Sequence, residues 1–118
     1  MYDVIVVGAR CAGSPTALLL ARKGFRVLLT DRTTFPSDQA MSTHIIWQRG
    51  TAQLKRWGVL DKLAAAGTPA LTTAHFDLGP FALDGNLPPS DGVAEAYGPR
   101  RTLLDRILVD AAVDAGAE

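Results

Sequence analysis

The stretch Val4-Ile5-Val6-Val7-Gly8-Ala9-Arg10-Cys11-Ala12-Gly13 decides the fold of this 118-residue chain. Its first four residues are an apolar, β-branched run, which predicts a buried strand that starts near Tyr2. The small residues that follow predict a tight turn. Ser14 is then expected to cap a helix, with Pro15 in its first turn. The stretch thus predicts a strand, a sharp turn and a helix in direct succession.

The residues after this turn predict a second strand that runs parallel to the first. The helix continues from Ala17 to Lys23 and is expected to end at Gly24. Phe25 to Thr30 is expected to be the second strand. Two buried strands joined by one helix within about 30 residues form a right-handed βαβ unit. We therefore predict an α/β fold with a Rossmann-like unit over residues 1–31.

Residues 32–98 predict an inserted excursion of helices and short strands. Helices are expected at about 45–57 and 60–66, strands at 71–78 and 81–83, and a loop over 84–92. Apolar residues at helical spacing predict a last helix from Leu103 to Ala115, which Gly116 ends. Residues 99–118 would return to the first unit. We expect the chain to be the N-terminal portion of one domain, whose remainder and substrate domain lie outside it.

The turn from Gly8 to Gly13 is the candidate phosphate site. The free N–H groups and positive dipole end of a helix N-terminus suit a pyrophosphate. Gly8 permits the turn, and Gly13 lets the helix and strand pack closely. Arg10 stands where the usual G-x-G-x-x-G pattern has its middle glycine. Two interpretations of Arg10 stay open: it swings outward and adds positive charge to the phosphates, or it weakens or blocks dinucleotide binding.

Asp31 is the second part of this candidate site. It lies at the end of the second predicted strand, 18 residues after Gly13. In a βαβ unit that end lies beside the first turn, where an acidic residue accepts hydrogen bonds from the adenosine ribose. Its charge would also repel a 2′-phosphate, which argues against NADP. Strand, turn, helix and acid in this register favour a nucleotide site over a purely structural turn.

The chain resembles the FAD-dependent oxidoreductases related to aromatic-ring hydroxylases and geranylgeranyl reductases. The resemblance covers essentially the whole sequence. It rests on VIVVGARCAG (Val4–Gly13), LLTDRTTFPSD (Leu28–Asp38), Ser42-Thr43-His44 and GPRRTLLDRIL (Gly98–Leu108). It implies a glutathione-reductase-type FAD fold, incomplete here, with FAD as the cofactor.

The resemblance also implies roles for individual residues. The turn would wrap the FAD pyrophosphate, the acid after the second strand would hold the adenosine ribose, and an arginine at the start of the last helix would reach the phosphate or ribityl region. Arg100 is the alternative to that arginine. The loop at residues 42–44 would lie near the flavin. The cofactor-binding residues are therefore expected to be Gly8, Ala9, Arg10, Ala12, Gly13, Asp31, Arg32, His44 and Arg101.

The implied parent enzyme is a monooxygenase or a double-bond reductase that acts on an apolar small molecule, with NAD(P)H as an electron donor. Flavin-dependent halogenation stays open, and no side chain of the chain is assigned a catalytic role. Two rivals remain. One is the NAD-binding domain of a dehydrogenase, against which the 38–98 excursion counts. The other is a truncated, non-catalytic α/β module.

The overall composition restricts the partners. Twelve Lys and Arg balance twelve Asp and Glu, so no general affinity for nucleic acid is expected. The lone Cys11 cannot form an internal disulfide, and no membrane or signal segment is evident, so a cytoplasmic location is expected. His44 and His75 lack metal-ligand spacing, and no metal site is predicted. The oligomeric state stays open.

Overall fold

The computed structural model describes residues 1–118 and contains six strands and four helices. In chain order they are β1 (Val4–Val7), α1 (Gly13–Arg22), β2 (Val27–Thr30), α2 (Gln48–Trp57), α3 (Leu60–Ala65), β3 (Ala70–Leu71), β4 (Thr73–Asp77), β5 (Ala82–Asn86), β6 (Ala96–Tyr97) and α4 (Arg101–Asp114). They form two compact units, one of residues 1–42 and 100–118 and one of residues 43–99. We call them the first and second units.

The first unit contains the predicted parallel βαβ arrangement. β1 pairs with β2 in parallel from Val4 opposite Val27 to Val7 opposite Thr30, and α1 makes the connection. Helices α1 and α4 pack against each other. After α4 the chain returns beside β2, where the N–H of Leu29 donates to the carbonyl of Glu118 at 2.7 Å. The α/β, Rossmann-like prediction is therefore confirmed.

The start of α1 differs from the prediction. The helix begins at Gly13, with Ala12 as its N-cap residue and no side-chain cap. The N–H of Ser14 already donates to the carbonyl of Arg10 at 3.0 Å, so Ser14 lies within the first helical turn. Its hydroxyl is fully buried and has no hydrogen-bond partner. The predicted cap was wrong because the turn runs into the helix without an intervening extended residue, which a side-chain cap requires.

β1 is half-exposed, not buried as predicted. Ile5 is 60% and Val7 is 83% exposed, whereas Val4 and Val6 are partly covered. Successive side chains of a strand point to opposite faces, and Val6 lies close to Gly13 of α1. The face opposite α1 is therefore uncovered. The β-branched run indicated two buried faces, but the elements in this chain cover only one.

Helices α2 and α3 of the excursion lie in the second unit. α2 starts at Gln48, later than predicted, because Ile46 is engaged in an antiparallel bridge with Tyr97: its N–H donates to the Tyr97 carbonyl at 2.8 Å. Gly58 has a φ of +76° and ends α2 as expected. Fully or nearly fully buried apolar side chains form the unit's core: Ala52, Leu54, Val59, Leu63, Val93 and Ala96.

The strands of the second unit differ most from the prediction. The single strand expected at 71–78 is divided: β3 pairs with β6, and β4 pairs with β5, both antiparallel. β5 continues to Asn86, into the predicted loop, because its backbone pairs with β4 despite the poor strand propensity of Asp84 and Gly85. β6 was not predicted.

Helix α4 agrees with its predicted apolar pattern, although it starts two residues earlier, at Arg101. Leu104, Ile107, Leu108, Ala111 and Ala112 are buried along one face. Gly116, with a φ of +104°, follows its end. None of the four helices combines the length and apolar character needed to cross a bilayer.

Candidate dinucleotide-binding site

The turn between β1 and α1 depends on two glycines. Gly8 has a φ of +105°, which side chains disfavour, and its N–H donates to the carbonyl of Thr30 at 2.7 Å. A Cβ atom on Gly13 would overlap the carbonyl oxygen of Gly8 and lie 2.8 Å from its carbonyl carbon. The turn is therefore closed too tightly for any side chain at Gly13. Only residues 8–12 therefore separate β1 from the N-terminus of the ten-residue helix α1.

Asp31 joins the end of β2 to this turn. One carboxylate oxygen accepts the N–H of Ala9 at 2.8 Å. The other accepts the N–H and the hydroxyl of Thr33 at 2.9 and 2.8 Å. The hydrogen bonds from Thr33, and then that from Ala9, hold the pKa of the Asp31 carboxyl below its ordinary value. Asp31 therefore stays ionised and holds the turn through the N–H of Ala9.

A cavity of about 340 Å³ opens at the junction of the turn and the end of β2. It lies within the first unit, and two arginines and one carboxylate give it a positive balance. The exposed Arg32 is one of these arginines. The lining residues are Val7, Gly8, Arg10, Asp31, Arg32, Thr33 and Gln39. Four of the predicted cofactor residues thus surround one cavity.

A cavity within the second unit has a lining of different charge. It is about 390 Å³ and its charged lining residues are Lys55, Asp61 and Glu95. Two carboxylates and one ammonium group give it the opposite balance, and it contains no glycine-rich helix start. An anionic phosphate suits the first cavity better.

Asp105, the most enclosed charge near the turn, is not among the residues predicted from the sequence. Its side chain is fully buried in α4. Arg10 Nη1 donates to one carboxylate oxygen at 2.6 Å, and Arg101 donates through Nε and Nη2 at 3.0 to 3.2 Å. The signal was present, because Asp105 interrupts the apolar face of α4 four residues after Arg101, the spacing of a helical ion pair.

Neither of the two interpretations of Arg10 given from the sequence describes its side chain completely. Its guanidinium is held by Asp105, by the Ser37 hydroxyl at 2.7 Å and by the Phe35 ring, whose centroid lies 5.3 Å from the guanidinium carbon. The side chain is still 22% exposed and lines the cavity. It is therefore anchored at the edge of the site instead of lying across the turn.

The other predicted arginine and histidine are placed differently. Arg101 is the first residue of α4 and, through Asp105, belongs to the same cluster as Arg10. Arg100, the alternative, is the exposed N-cap residue. His44 lies in the second unit with a positive φ of 56°. The structure thus groups Arg101 with the turn, and a cofactor role for His44 stays a prediction.

Cys11 is part of this cluster. Its Sγ donates to Asp105 at 3.3 Å, although the residue as a whole is exposed. Enclosure of the thiol, followed by the negative charge of Asp105, raises its pKa to about 11. A helix N-terminus lowers the pKa of a thiol, but here enclosure of the thiol and the carboxylate of Asp105 outweigh that effect. Cys11 is thus a weak nucleophile.

The class of the protein follows from comparison with known families. A model of the family described as FAD binding domain matches residues 1–118. The chain therefore belongs to the FAD binding domain family of flavin-dependent oxidoreductases. This finding confirms the resemblance stated from the sequence motifs.

Three individual relatives are similar to the chain over nearly its whole length. The chain is 34% identical to a menaquinone reductase of Mycolicibacterium smegmatis, and the match covers 98% of the chain and 28% of that protein. It is similar in structure to a flavoprotein/dehydrogenase from Cytophaga hutchinsonii (29% identity, TM-score 0.85, 98% and 29% of the two chains). It is also similar to the myxobacterial chondrochloren halogenase (26% identity, TM-score 0.83, 98% and 27%). The chain thus spans under a third of these relatives.

The residues present fit the adenine-dinucleotide half of FAD. The turn is closed to side chains at Gly13, the cavity beside it has a positive balance, and an ionised carboxylate lies at the end of β2. The N–H groups at the start of α1 are suitable donors to a pyrophosphate. Bound FAD would supply the redox chemistry, and these residues would hold its nucleotide part.

Proposed function

We propose that this chain is the adenine-dinucleotide-binding part of an FAD-dependent oxidoreductase. The observation that carries the proposal is the link from the Asp31 carboxylate to the N–H of Ala9, at 2.8 Å. It brings a ribose-binding acid and a phosphate-binding turn to one cavity. In this proposal Gly8, Ala9, Ala12 and Gly13 wrap the pyrophosphate, and Asp31 holds the ribose with Arg32 beside it.

The proposed parent enzyme is a double-bond reductase or a monooxygenase that acts on an apolar small molecule, with NAD(P)H as electron donor. Of the two, we favour the reductase, because a menaquinone reductase is 34% identical to the chain over 98% of its length. The chain's own residues contribute cofactor binding. In this proposal the groups that act on substrate belong to the part of the enzyme beyond these 118 residues, and the enzyme is cytoplasmic.

A titration of the 118-residue chain with FAD, ADP and NAD tests the proposal. We expect saturable quenching of flavin fluorescence and tighter binding of FAD than of NAD. Asp31→Asn should weaken FAD binding by about tenfold or more, because the carboxamide lacks the charge and keeps only one acceptor oxygen for the ribose hydroxyls, Ala9 and Thr33. Folding of each variant is followed by circular dichroism.

Asp38→Asn is the matched control. Asp38 is an exposed carboxylate of the loop after β2, and its bond is to the neighbouring N–H of Gln39. Removal of this charge should leave FAD affinity within about twofold. A folded wild-type chain that binds neither FAD nor ADP, or that binds NAD more tightly than FAD, would contradict the proposal.

A further inference from the structure

Asp105 is a buried carboxylate with two cationic partners. It is fully enclosed, and the side chains of Arg10 and Arg101 are 22% and 14% exposed. A buried carboxylate is costly unless it is paired and hydrogen-bonded. Here the donors are Arg10, Arg101 and the Cys11 thiol. Two guanidinium groups against one carboxylate leave the cluster with one net positive charge.

The partners of Arg10 come from two separate parts of the first unit. Asp105 lies on α4, whereas Ser37 and Phe35 lie in the loop after β2. The Ser37 hydroxyl and backbone carbonyl accept from the guanidinium at 2.7 and 3.4 Å. A long arginine side chain loses much rotamer freedom when it is held this way. The arrangement thus restricts a side chain that the usual glycine would not have.

We propose that Asp105 is a positioning residue of the dinucleotide site: it draws the Arg10 side chain off the turn and fixes Arg10 and Arg101 as a positively charged pair beside it. The usual pattern has a glycine at this position so that the backbone can approach the pyrophosphate. With Asp105 as anchor, an arginine at position 10 becomes compatible with that approach. The inference rests on FAD binding as proposed above.

A positioning role and simple electrostatics predict opposite changes in FAD affinity for Asp105→Asn. Asp105→Asn removes a negative charge close to an anion site, so charge alone predicts tighter FAD binding. Positioning predicts weaker binding, because Arg10 is released toward the turn. The carboxamide is nearly the same size as the carboxylate, which limits the effect on packing.

A double-mutant cycle separates positioning from general structural damage. FAD and ADP are titrated against wild type, Asp105→Asn, Arg10→Gly and the double variant, with urea unfolding measured for each. We expect Asp105→Asn to weaken FAD binding about tenfold in the wild-type background and less than about twofold in the Arg10→Gly background. An equal loss in both backgrounds, no loss, or a gain in affinity on Asp105→Asn would overturn the proposal.

Ser37→Ala provides a second route if Asp105→Asn does not fold. It removes one restraint on Arg10 from the partly exposed side and leaves the buried carboxylate in place. We expect a smaller loss of FAD affinity, about threefold, that again disappears in the Arg10→Gly background. Equal affinities of wild type and Ser37→Ala would then overturn the proposal.

The same titration distinguishes this inference from the proposed function. A folded wild-type chain that binds neither ligand contradicts FAD binding itself, and the positioning role falls with it. A wild-type chain that binds FAD, together with an Asp105→Asn variant that binds as well or better, contradicts only the role of Asp105.

Discussion

The two units of the chain are stabilised by different means. The first unit has a turn that is closed by backbone contacts and a buried carboxylate that joins α4 to that turn. The second unit has a compact helical core, but its β4–β5 hairpin leaves nearly every residue exposed. Hydrogen bonds to buried or partly buried carboxylates connect the elements of the first unit. The hairpin relies on its own strand pairing, which is marginal for two strands alone.

The two units also differ in how their carboxylates are paired. In the first unit, Asp31 and Asp105 each accept hydrogen bonds from two or more other residues. In the hairpin, His75 and Asp84 form a cross-strand hydrogen bond, with side chains 59% and 74% exposed. Exposed pairs contribute little to stability, whereas disruption of a buried pair is costly. Mutations of similar chemistry should therefore have unequal effects in the two units.

The largest expected effect comes from Gly13→Val. Its Cβ would overlap the backbone of Gly8, so neither a rotamer change nor a small shift relieves the contact. We expect the first unit to unfold and FAD binding to be lost, with a cost above about 3 kcal/mol. Urea unfolding followed by circular dichroism measures this.

Gly85→Ala is the control for this substitution. Gly85 lies in β5, and a Cβ there meets no atom within 4 Å. Its free energy of unfolding should stay within about 0.5 kcal/mol of wild type. A Gly13→Val chain as stable as the Gly85→Ala chain would refute the claim that backbone closure specifies the first unit.

The next largest effect should come from Asp105→Ala. This change leaves Arg10 and Arg101 without their shared buried partner. We expect a loss of about 3 kcal/mol in the free energy of unfolding, from chemical denaturation at pH 7. Asp84→Ala, which removes an exposed carboxylate of the hairpin, should change it by less than about 0.5 kcal/mol. Similar losses for both variants would remove the energetic contrast between the units.

A smaller effect is expected in the alkylation of Cys11. Its pKa of about 11 means that the rate with iodoacetamide rises with pH up to about 11, as the thiolate forms. Asp105 raises this pKa, so Asp105→Asn should lower it and speed alkylation at pH 8 by about tenfold or less. Burial persists in the variant, so an ordinary pKa should not be reached. An unchanged pH profile would show that the carboxylate does not act on the thiol.

The smallest expected change in stability is that of Phe76→Ser with Phe81→Ser in the hairpin. These rings are 52% and 57% exposed. Their removal should change the free energy of unfolding by less than about 0.5 kcal/mol, while the binding of a hydrophobic dye falls. Leu63→Ala, at a buried site of the same unit, should cost about 2 to 5 kcal/mol. A loss above about 1 kcal/mol in the double variant would show that the hairpin rings are covered.

The sequence by itself determined the βαβ unit, the turn and the place of Asp31. These features depend on local rules: apolar runs predict strands, glycines mark a positive φ or a close approach, and the acid follows the second strand. The apolar face of helix α4 was identifiable for the same reason, although its start was predicted two residues too late. Each signal lies within a few residues of the element that it predicts.

Only the tertiary structure decided what long-range contacts control. The contact of Asp105 with Arg10 joins residues 95 positions apart, and no local pattern indicates it. The division of the 71–78 segment into β3 and β4 depends on which strands pair with each half. The open face of β1 depends on which elements cover it, and the raised pKa of Cys11 depends on a carboxylate from a distant helix. Burial and charge pairing are properties of the assembled fold, and for this reason the sequence alone did not reveal them.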